Sequence, residues 1–375
     1  MRSLYPLDHL VGMHTYTYSS WSPIDASIPR PEGFVVSEIL LDGTNCADLF
    51  NKCIAGEIPQ IKESARTVAL ALLRKIGIST PEAAQLLAKA FNCRGYEYLG
   101  LKEANAVSYQ LVVLYSCKSL KPTYSDGRIL ACITSITLPI QHVGNEFRLV
   151  LEVKNGAHLM EAMKRLREVS NNGVLNFYGY QRFGTLRPIN HEIGKLLLLN
   201  MNELAIDVLC KHYRRYIPSQ GYEHRLCKHR RIPPTLAKFF LEAYQAYLFN
   251  RILSLAWLEH VERHGLVDAL KTFEDVRLPV PGYRSIKQAV STSHFSHIVE
   301  SVLNSEGLTL DRFCRLAEKA RLPGTFRPAL VKPYIIEVRK LSPQTLSLTV
   351  RLPPGSYITI VLREILRCDP MKYVM

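Results

Sequence analysis

The order of strand-like and helical segments along the chain predicts an α+β fold that contains an inserted helical domain. Up to Gly184 the segments are rich in β-branched and aromatic residues, which favour strands. From there to residue 333 the apolar residues recur mainly at helical spacing, and at Tyr334 strand-like alternation returns. We therefore predict one domain built from residues 1–186 and 334–375, with residues 187–333 inserted into it.

The composition is that of a globular protein with a basic surface. With 375 residues, of which 47% are hydrophobic, the chain can bury a core and form two domains. Lys and Arg outnumber Asp and Glu by 47 to 33, and the net charge of +14 favours a polyanionic partner, most commonly nucleic acid. A generally basic proteome would give the same excess, so this alternative stays open.

Hydropathy and cysteine usage both favour a cytoplasmic protein. No apolar run approaches the roughly 18 residues that a membrane span requires, and the N-terminus lacks a continuous apolar signal core. The nine cysteines are scattered and include no Cys-x-x-Cys pair. We therefore expect small buried cysteine side chains, no disulfide framework and no membrane partner.

Local patterns assign several segments to strands. The alternation of Phe34 and Val36 predicts a strand with one face turned inward. Residues 67–78 are mostly apolar, and periodicity alone does not decide between helix and strand there. Further strand-like segments occupy residues 96–99, 111–115, 128–136, 147–154, 335–339 and 345–352.

Other segments carry helix signals. Thr80-Pro81-Glu82 combines a cap, a first-turn proline and an acidic residue, which predicts a helix at 81–91. A long apolar segment from Pro233 or Pro234 ends at Gly265, a typical helix stop. Amphipathic spacing predicts two further helices, at 157–169 and 308–320.

One charged pair, Lys102 and Glu103, lies in the loop at 100–110 between two predicted strands. Loops held by a rigid scaffold commonly carry catalytic groups, so the pair is a candidate site at the end of a sheet. On its own the signal is weak, because most such pairs in loops are solvated.

A second candidate site is the segment Asn-Phe-Tyr-Gly-Tyr-Gln-Arg-Phe-Gly at 176–184. Aromatic rings that alternate with amide groups suit an extruded base, which stacks on a ring and forms hydrogen bonds through its edge. The same residues would also suit an ordinary packed bend.

Residues 211–231 form a third candidate site. They contain seven Lys or Arg and one acidic residue, interleaved with three Tyr and three His. This composition suits phosphate contacts and base stacking, although a solvated charged connector would have the same composition. We predict substrate contacts there from Lys211, Arg214, Arg215, Arg230 and Arg231.

The same stretch contains two Cys-Lys-His triplets, at 210–212 and 227–229, as well as His224. Cys and His are the ligands that zinc prefers, but the spacing within each triplet is shorter than in usual zinc sites. We therefore expect no metal, and a zinc-bearing RNA module remains as a weaker alternative.

The loop at 100–110 resembles the signature of a known family. Its pattern Gly-x-Lys-Glu-x-x-Ala-x-Ser-x-Gln is similar to Gly-x-Lys-Asp-x-x-Ala-x-Thr-x-Gln of the TruD/Pus7 family of tRNA pseudouridine synthases. Further segments resemble that family's motifs in the same order along the chain; they start at Pro31, His142, Asn176 and Gly355. The chain is therefore identified as a member of this family, of the archaeal type.

The resemblance implies the fold, the reaction and the partner. Residues 1–186 and 334–375 would form a pseudouridine-synthase catalytic domain on a mixed, mainly antiparallel sheet, with 67–78 as one strand. Residues 187–333 would form the mostly helical TRUD insertion domain. The substrate would be a tRNA or pre-tRNA, with no DNA partner and no cofactor. The target would be a D-stem uridine, an anticodon-loop uridine of the tyrosine tRNA precursor, or both.

The resemblance also implies roles for individual residues. The catalytic group would be Glu103, in the place of the family's Asp, together with Lys102, Asn176, Arg30 and Glu364. Asn176 would orient the carboxylate or the extruded nucleotide, and Tyr178 would stack beneath the uracil. The substrate-binding residues would be Phe34, Tyr178, Gln181, Arg182, Gln110 and Arg363.

Two of the departures from the family pattern concern the catalytic group. Glu103 stands where the family has Asp, and Ile28 stands where the family has the Lys that pairs with that Asp. The nearest cation is Arg30, displaced by two residues, or about 6–7 Å in an extended chain. We therefore predict weak activity, and the alternative is an inactive tRNA-binding homologue that acts as an RNA chaperone or platform.

Overall fold

The computed structural model describes residues 2–61, 64–211, 226–292 and 295–374, without the side chains of residues 64–66 and 292. The chain forms two compact units. The sheet unit comprises residues 24–170 and 333–358, and the helical unit comprises residues 1–23, 171–332 and 359–374. The predicted domain boundaries, after residues 186 and 333, stay a prediction. Within the described ranges no helix is long and apolar enough to cross a membrane.

The sheet unit contains one mixed, mainly antiparallel sheet, which confirms the predicted fold class. The strand order is β13-β14-β8-β2-β5-β3-β7-β6, with β1 paired to β8 and β4 paired to β5. β2 and β5 run parallel, whereas the other pairs in this sheet are antiparallel. The strands are β1 Ala26–Ser27, β2 Phe34–Leu40, β3 Ser64–Lys75, β4 Gly95–Tyr98, β5 Val107–Leu120, β6 Thr123–Ser125, β7 Ile129–Thr134, β8 His142–Val153, β13 Tyr334–Ser342 and β14 Thr345–Leu352.

The apolar segment at 67–78 forms most of the central strand β3, as the family resemblance implies. It pairs with β5 on one side and, from Leu70 to Lys75, with β7 on the other, so that part of the strand lies inside the sheet. Two adjacent residues of β3, Leu72 and Leu73, are both inaccessible to solvent and belong to separate core clusters. Successive strand residues point to opposite faces, so both faces of β3 are buried around Leu72 and no polar alternation is needed there.

Two helices cover these two core clusters. α2, Cys46–Ile54, contributes Phe50 to the cluster of Leu72, and α3, Thr80–Ala90, contributes Leu87 to the cluster of Leu73. The cap of α3 is Ser79 and not Thr80: the Ser79 hydroxyl and the Glu82 carboxylate form a capping box. The predicted helix at 157–169 is present as α4, Gly156–Asn172.

The helical unit is built around one long helix. This helix, α8, covers Pro234–His264 and ends, as predicted, at Gly265, whose φ of 82° favours glycine. The predicted helix at 308–320 is α12, Leu310–Lys319. Further helices are α1 Pro6–Leu10, α5 Tyr180–Phe183, α6 Asn190–Leu198, α7 Asn202–Lys211, α9 Leu266–Asp275, α10 Tyr283–Thr292, α11 Ser296–Ser305, α13 Ile358–Leu366 and α14 Met371–Val374, and the short strands include β9 Val174–Leu175, β10 Arg277–Val280, β11 Thr325–Pro328 and β12 Leu330–Val331.

The cysteines overturn one prediction, because the structure contains disulfides. Cys53–Cys132 and Cys93–Cys117 lie in the sheet unit and Cys210–Cys227 lies in the helical unit. Cys46, Cys314 and Cys368 are buried thiols. The sequence spacing did not reveal these pairs, because tertiary folding brings together cysteines that are up to 79 positions apart.

The segment from His142 to Phe147 is part of a strand, although an isolated Gly-Asn step commonly marks a turn. It belongs to β8, where Gly144 pairs with Ile39 and Asn145 pairs with Glu38. A Cβ atom on Gly144 would lie 2.8 Å from the main-chain oxygen of Leu352. Glycine is therefore required here by the close approach of β14 and not by a turn.

We expect Gly144→Ala to lower the free energy of unfolding by about 1–3 kcal/mol, because the added methyl group meets backbone that cannot move aside cheaply. Gly95→Ala is the matched control, since a Cβ atom on that strand residue would meet only the Tyr115 side chain at 3.8 Å. Urea unfolding followed by circular dichroism measures both. Equal stability of the two variants would contradict the proposed packing constraint.

Candidate active site

The parallel pairing of β2 and β5 brings two predicted site segments to the same edge of the sheet. Val35 of β2 pairs with Val107 of β5, so both strands begin at that edge. Arg30 lies just before β2, and the loop that carries Lys102 and Glu103 lies just before β5. Residues far apart in sequence therefore meet at the start of two adjacent strands.

Arg30 forms an ion pair with Glu103. Its Nη1 atom lies 3.1 Å from Glu103 Oε2, and the two side chains are 3% and 12% exposed. The same Nη1 donates to the main-chain oxygen of Asn105 at 2.7 Å. The guanidinium lies 3.9 Å from the centre of the Phe34 ring, a cation–π contact that orients it. Ile28, in the place of the family's Lys, is buried.

Lys102 pairs with a different carboxylate. Its Nζ donates to Glu38 Oε1 at 2.7 Å, and Glu38 is fully buried in β2. The second Glu38 oxygen accepts a hydrogen bond from Leu111 N of β5 at 2.9 Å. Gly100 leaves room for this pair, since a Cβ atom there would lie 3.1 Å from Lys102 Nζ. The side chain of Lys102 therefore ties the loop to β2, and its catalytic role stays a prediction.

Further contacts fix the loop backbone. Lys102 N donates to Thr80 Oγ1, and that hydroxyl donates to Gln110 Oε1, both at 3.0 Å. Gln110 is fully buried, so the structure shows it supporting the loop, and its predicted substrate contact stays a prediction. Sequence patterns gave no reason to single out Lys75, whose buried Nζ donates to Glu103 O at 2.7 Å.

In the helical unit, Arg327 organises the segment at 176–184. Its Nε donates to Asn176 O at 2.8 Å and its Nη2 donates to Asn176 Oδ1 at 2.7 Å. Its guanidinium lies 4.3 Å from the centre of the Tyr178 ring. Arg327 is buried in β11 and was missed in the sequence, where no local pattern marks an arginine 151 positions from its partner.

Asn250 of α8 holds the main chain of Tyr178. The Tyr178 amide donates to Asn250 Oδ1 at 2.8 Å, and Asn250 Nδ2 donates to Tyr178 O at 3.1 Å. Asn250 is fully buried, and its Nδ2 also donates to Val11 O at 2.9 Å. The backbone position of Tyr178 is therefore set by the long helix.

Gln181 and Arg182 both contact residues of the helical unit. Arg182 Nη2 donates to Glu242 Oε2 at 2.8 Å, which ties the segment to α8. Gln181 Oε1 accepts a hydrogen bond from Thr359 Oγ1 at 3.4 Å. Their substrate contacts stay predictions.

The two predicted residues of α13 are deeply buried. Arg363 is 1% exposed, and its Nε donates to the buried Asp8 carboxylate at 2.8 Å. Glu364 accepts hydrogen bonds from Thr17 N at 2.8 Å and from Arg367 Nη2 at 2.7 Å. Both side chains hold the N-terminal segment, and their roles in catalysis or binding stay predictions.

The basic stretch is only partly described. Arg214 and Arg215 lie outside the described residues, as do His212 and His224. Lys211 and Arg231 are exposed. Arg230 pairs with Glu203 at 2.7 Å and Asp207 at 3.0 Å, and these hydrogen bonds raise its pKa.

Cys210 and Cys227, the candidate zinc ligands, are bonded to each other. Residues 2–61, 64–211, 226–292 and 295–374 contain no group of three or more His, Cys, Asp or Glu placed to hold a metal ion.

The fold and these motifs define a class of RNA-modifying enzymes. A family model described as "tRNA pseudouridine synthase D (TruD)" matches residues 10–227 and 268–365. Because the match covers most of the chain, this protein belongs to the TruD family.

Archaeal relatives are similar to this chain along nearly its full length. The chain is 28% identical to a "Probable tRNA pseudouridine synthase D" from Saccharolobus solfataricus, over 98% of both chains. It is 27% identical to a protein with the same description from Pyrobaculum aerophilum, again over 98% of both chains. A crystal structure of a TruD protein from Methanosarcina mazei has the same fold, with a TM-score of 0.60, 20% identity and coverage of 99% of this chain and 100% of that chain.

We expect Lys102→Met to lower the free energy of unfolding by about 3–5 kcal/mol, because it leaves the buried Glu38 carboxylate without its counter-ion. Adding Glu38→Gln should recover part of this loss, since an amide oxygen still accepts from Leu111 N. Lys332→Met is the control, because its pair with Glu274 is exposed and is worth about 0–1 kcal/mol. Urea unfolding of the four proteins measures the difference, and a loss for Lys102→Met no larger than the control would refute the buried-pair interpretation.

Proposed function

We propose that this protein isomerises uridine to pseudouridine in tRNA, with Glu103 as the catalytic carboxylate and Arg30 as its counter-cation. Membership of the TruD family and the descriptions of the archaeal relatives support this reaction and substrate. The observation that carries the proposal is the 3.1 Å ion pair between Arg30 and Glu103. Glu103 occupies the position of the family's Asp, and Arg30 is the cation nearest to the position of the family's Lys.

The reaction needs a carboxylate that is held in place. The bond from C1′ of the ribose to N1 of the uracil breaks, the base turns, and C1′ forms a new bond to C5. The proton on C5 is then lost and N1 regains one, so the product is an isomer of the substrate. A carboxylate assists either as a nucleophile or as the base that removes a proton. The Arg30 guanidinium stabilises the ionised form of Glu103 that both roles require.

The two departures at the catalytic group compensate each other: the acid is longer, and its cation is rooted further along the chain. Glu is longer than Asp by one methylene, roughly 1.5 Å. The cation that meets it comes from a residue two positions further along the chain and has a longer side chain than Lys. The Arg30 side chain is 3% exposed, and burying its charge would cost free energy if the Glu103 carboxylate were not beside it. This mutual fit supports a site adapted to Glu, and not the random decay of an unused site.

The ion pair does not return the Glu103 carboxylate to the position that the shorter Asp side chain would give it. A displacement of about 1 Å in a catalytic group can lower a rate on the order of a hundredfold. We therefore infer that the protein acts slowly. The predicted targets are a D-stem uridine, an anticodon-loop uridine of the tyrosine tRNA precursor, or both.

The roles in substrate recognition follow the resemblance to the family. We infer that Tyr178 stacks on the target base and that Asn176 orients the nucleotide or the carboxylate, because Arg327 and Asn250 hold these two residues in defined positions. Phe34, Gln110, Gln181, Arg182 and Arg363 remain substrate contacts by family resemblance. The net charge of +14 supports binding of a polyanion.

The second candidate function is RNA binding without chemistry, as a chaperone or platform. The same basic charge favours it, because charge alone gives affinity for RNA without any catalytic group. The variants that follow separate it from the enzyme.

Glu103→Gln is expected to abolish pseudouridine formation while leaving tRNA affinity within about threefold, because an amide is neither a base nor a competent nucleophile. The assay incubates excess protein with tRNA transcripts and maps pseudouridine by carbodiimide adducts. Glu57→Gln, an exposed change in the same unit, is the control and should keep the natural rate. Conversion that persists in Glu103→Gln would exclude Glu103 as the catalytic group, and a natural protein that binds but never converts would favour the platform.

Glu103→Asp alone is expected to slow conversion further, because the shorter carboxylate loses contact with Arg30. Adding Ile28→Lys restores the cation at the family position, so the double variant should convert uridine at least as fast as the natural protein. The same mapping assay under single-turnover conditions compares the three proteins. A double variant that binds tRNA but is slower than Glu103→Asp would contradict the proposed pairing of acid and cation.

A further inference from the structure

Lys75 is a charged residue buried at the end of β3, beside the loop that carries Glu103. It is fully buried. Its Nζ atom donates to Glu103 O at 2.7 Å, to Ile78 O at 2.9 Å and to Lys102 O at 3.4 Å. An ammonium group has three donors and no acceptor, so these three main-chain oxygens match its hydrogen-bonding capacity.

The Lys75 ammonium is unusual because it is fully buried and donates to main-chain oxygens. A buried charge is costly unless it is paired or fully hydrogen-bonded. The hydrogen bonds that the structure describes for this ammonium go to main-chain oxygens, so their effect is to fix backbone. Two of the three oxygens belong to the consecutive residues Lys102 and Glu103.

The neighbouring loop carbonyls are held as well. Gly77 N donates to Ala104 O at 3.0 Å, and Arg30 Nη1 donates to Asn105 O at 2.7 Å. Each main-chain oxygen from residue 102 to residue 105 therefore accepts a hydrogen bond. Lys75 supplies the bonds at the two residues that precede and carry the carboxylate.

We propose that Lys75 is a positioning residue for Glu103, an inference that rests on the proposed function of that carboxylate. By holding the carbonyls of Lys102 and Glu103, the Lys75 ammonium fixes the backbone from which the Glu103 side chain extends toward Arg30. Lys75 acts through the backbone, and no contact with the substrate is required of it.

The hydrogen bonds of the Lys75 ammonium to the loop carbonyls depend on pH near neutrality. Burial lowers the pKa of Lys75 from about 10.5 to about 7; the charge of Lys102 lowers it further, and the carboxylates of Glu103 and Glu82 raise it. Below that pH the ammonium has three N–H donors for three carbonyls, and above it the neutral amine has two. The loop is therefore held less firmly as the pH rises through about 7.

Lys75→Met tests the proposal, with Lys89→Met, an exposed change on α3, as the matched control. We expect Lys75→Met to lower the single-turnover rate about tenfold to a hundredfold with unchanged tRNA affinity, because the carboxylate is displaced while the RNA-binding surface is kept. The ratio of the natural rate to the Lys75→Met rate should fall as the pH rises from about 6 to about 8. A folded variant with the natural rate and the natural pH profile would overturn the proposal.

Hydrogen exchange gives a readout that does not depend on activity. The amides of Gly77, which donates to Ala104 O, and of Lys102, which donates to Thr80 Oγ1, should lose protection in Lys75→Met but not in Lys89→Met, and unchanged protection would overturn the proposal. If Lys75→Met does not fold, the natural protein decides: protection of the Gly77 and Lys102 amides, corrected for intrinsic exchange, should fall as the pH rises through about 7, while that of β5 stays constant. If the natural protein proves inactive but shows these changes, the proposed function fails and the positioning by Lys75 stands.

Discussion

The candidate site depends on the parallel pairing of β2 with β5. Adjacent parallel strands begin at the same edge of a sheet, so Arg30 and Glu103 meet there although 73 positions separate them. Glu38 strengthens the same pairing, because its carboxylate joins Leu111 N of β5 to the ammonium of Lys102. A register slip of one residue would turn these side chains to the opposite face and separate the pairs.

Buried charge is concentrated around this loop. The Arg30–Glu103 and Lys102–Glu38 pairs have side-chain exposures of 12% or less, and the Lys75 ammonium lies on main-chain oxygens beside them. Buried ion pairs contribute little to stability compared with apolar packing, because desolvation offsets the attraction. Buried, perturbed charges are more common at functional sites, which supports the proposal of an active site at this edge.

Some of the site could be predicted because its signals are local. Motif spacing identified Glu103 and the displaced cation Arg30, and the length of an arginine side chain made their contact plausible. Gly265 ended the long helix as expected, because a glycine after an apolar helical segment is a short-range signal. By contrast, the Gly-Asn step at 144–145 lies in β8, since pairing with β2 and β14 overrode its turn preference.

The sequence by itself determined the fold class, the family and the identity of the candidate carboxylate, since composition, periodicity and motifs are all properties of neighbouring residues. Only the tertiary structure decided the partners: Glu38 for Lys102, Arg327 for Asn176, Lys75 for the loop carbonyls, and the three disulfides. These contacts join distant positions through strand register and packing. For each of these residues the sequence contains many possible partners, and the amino-acid order alone does not indicate which of them makes the contact.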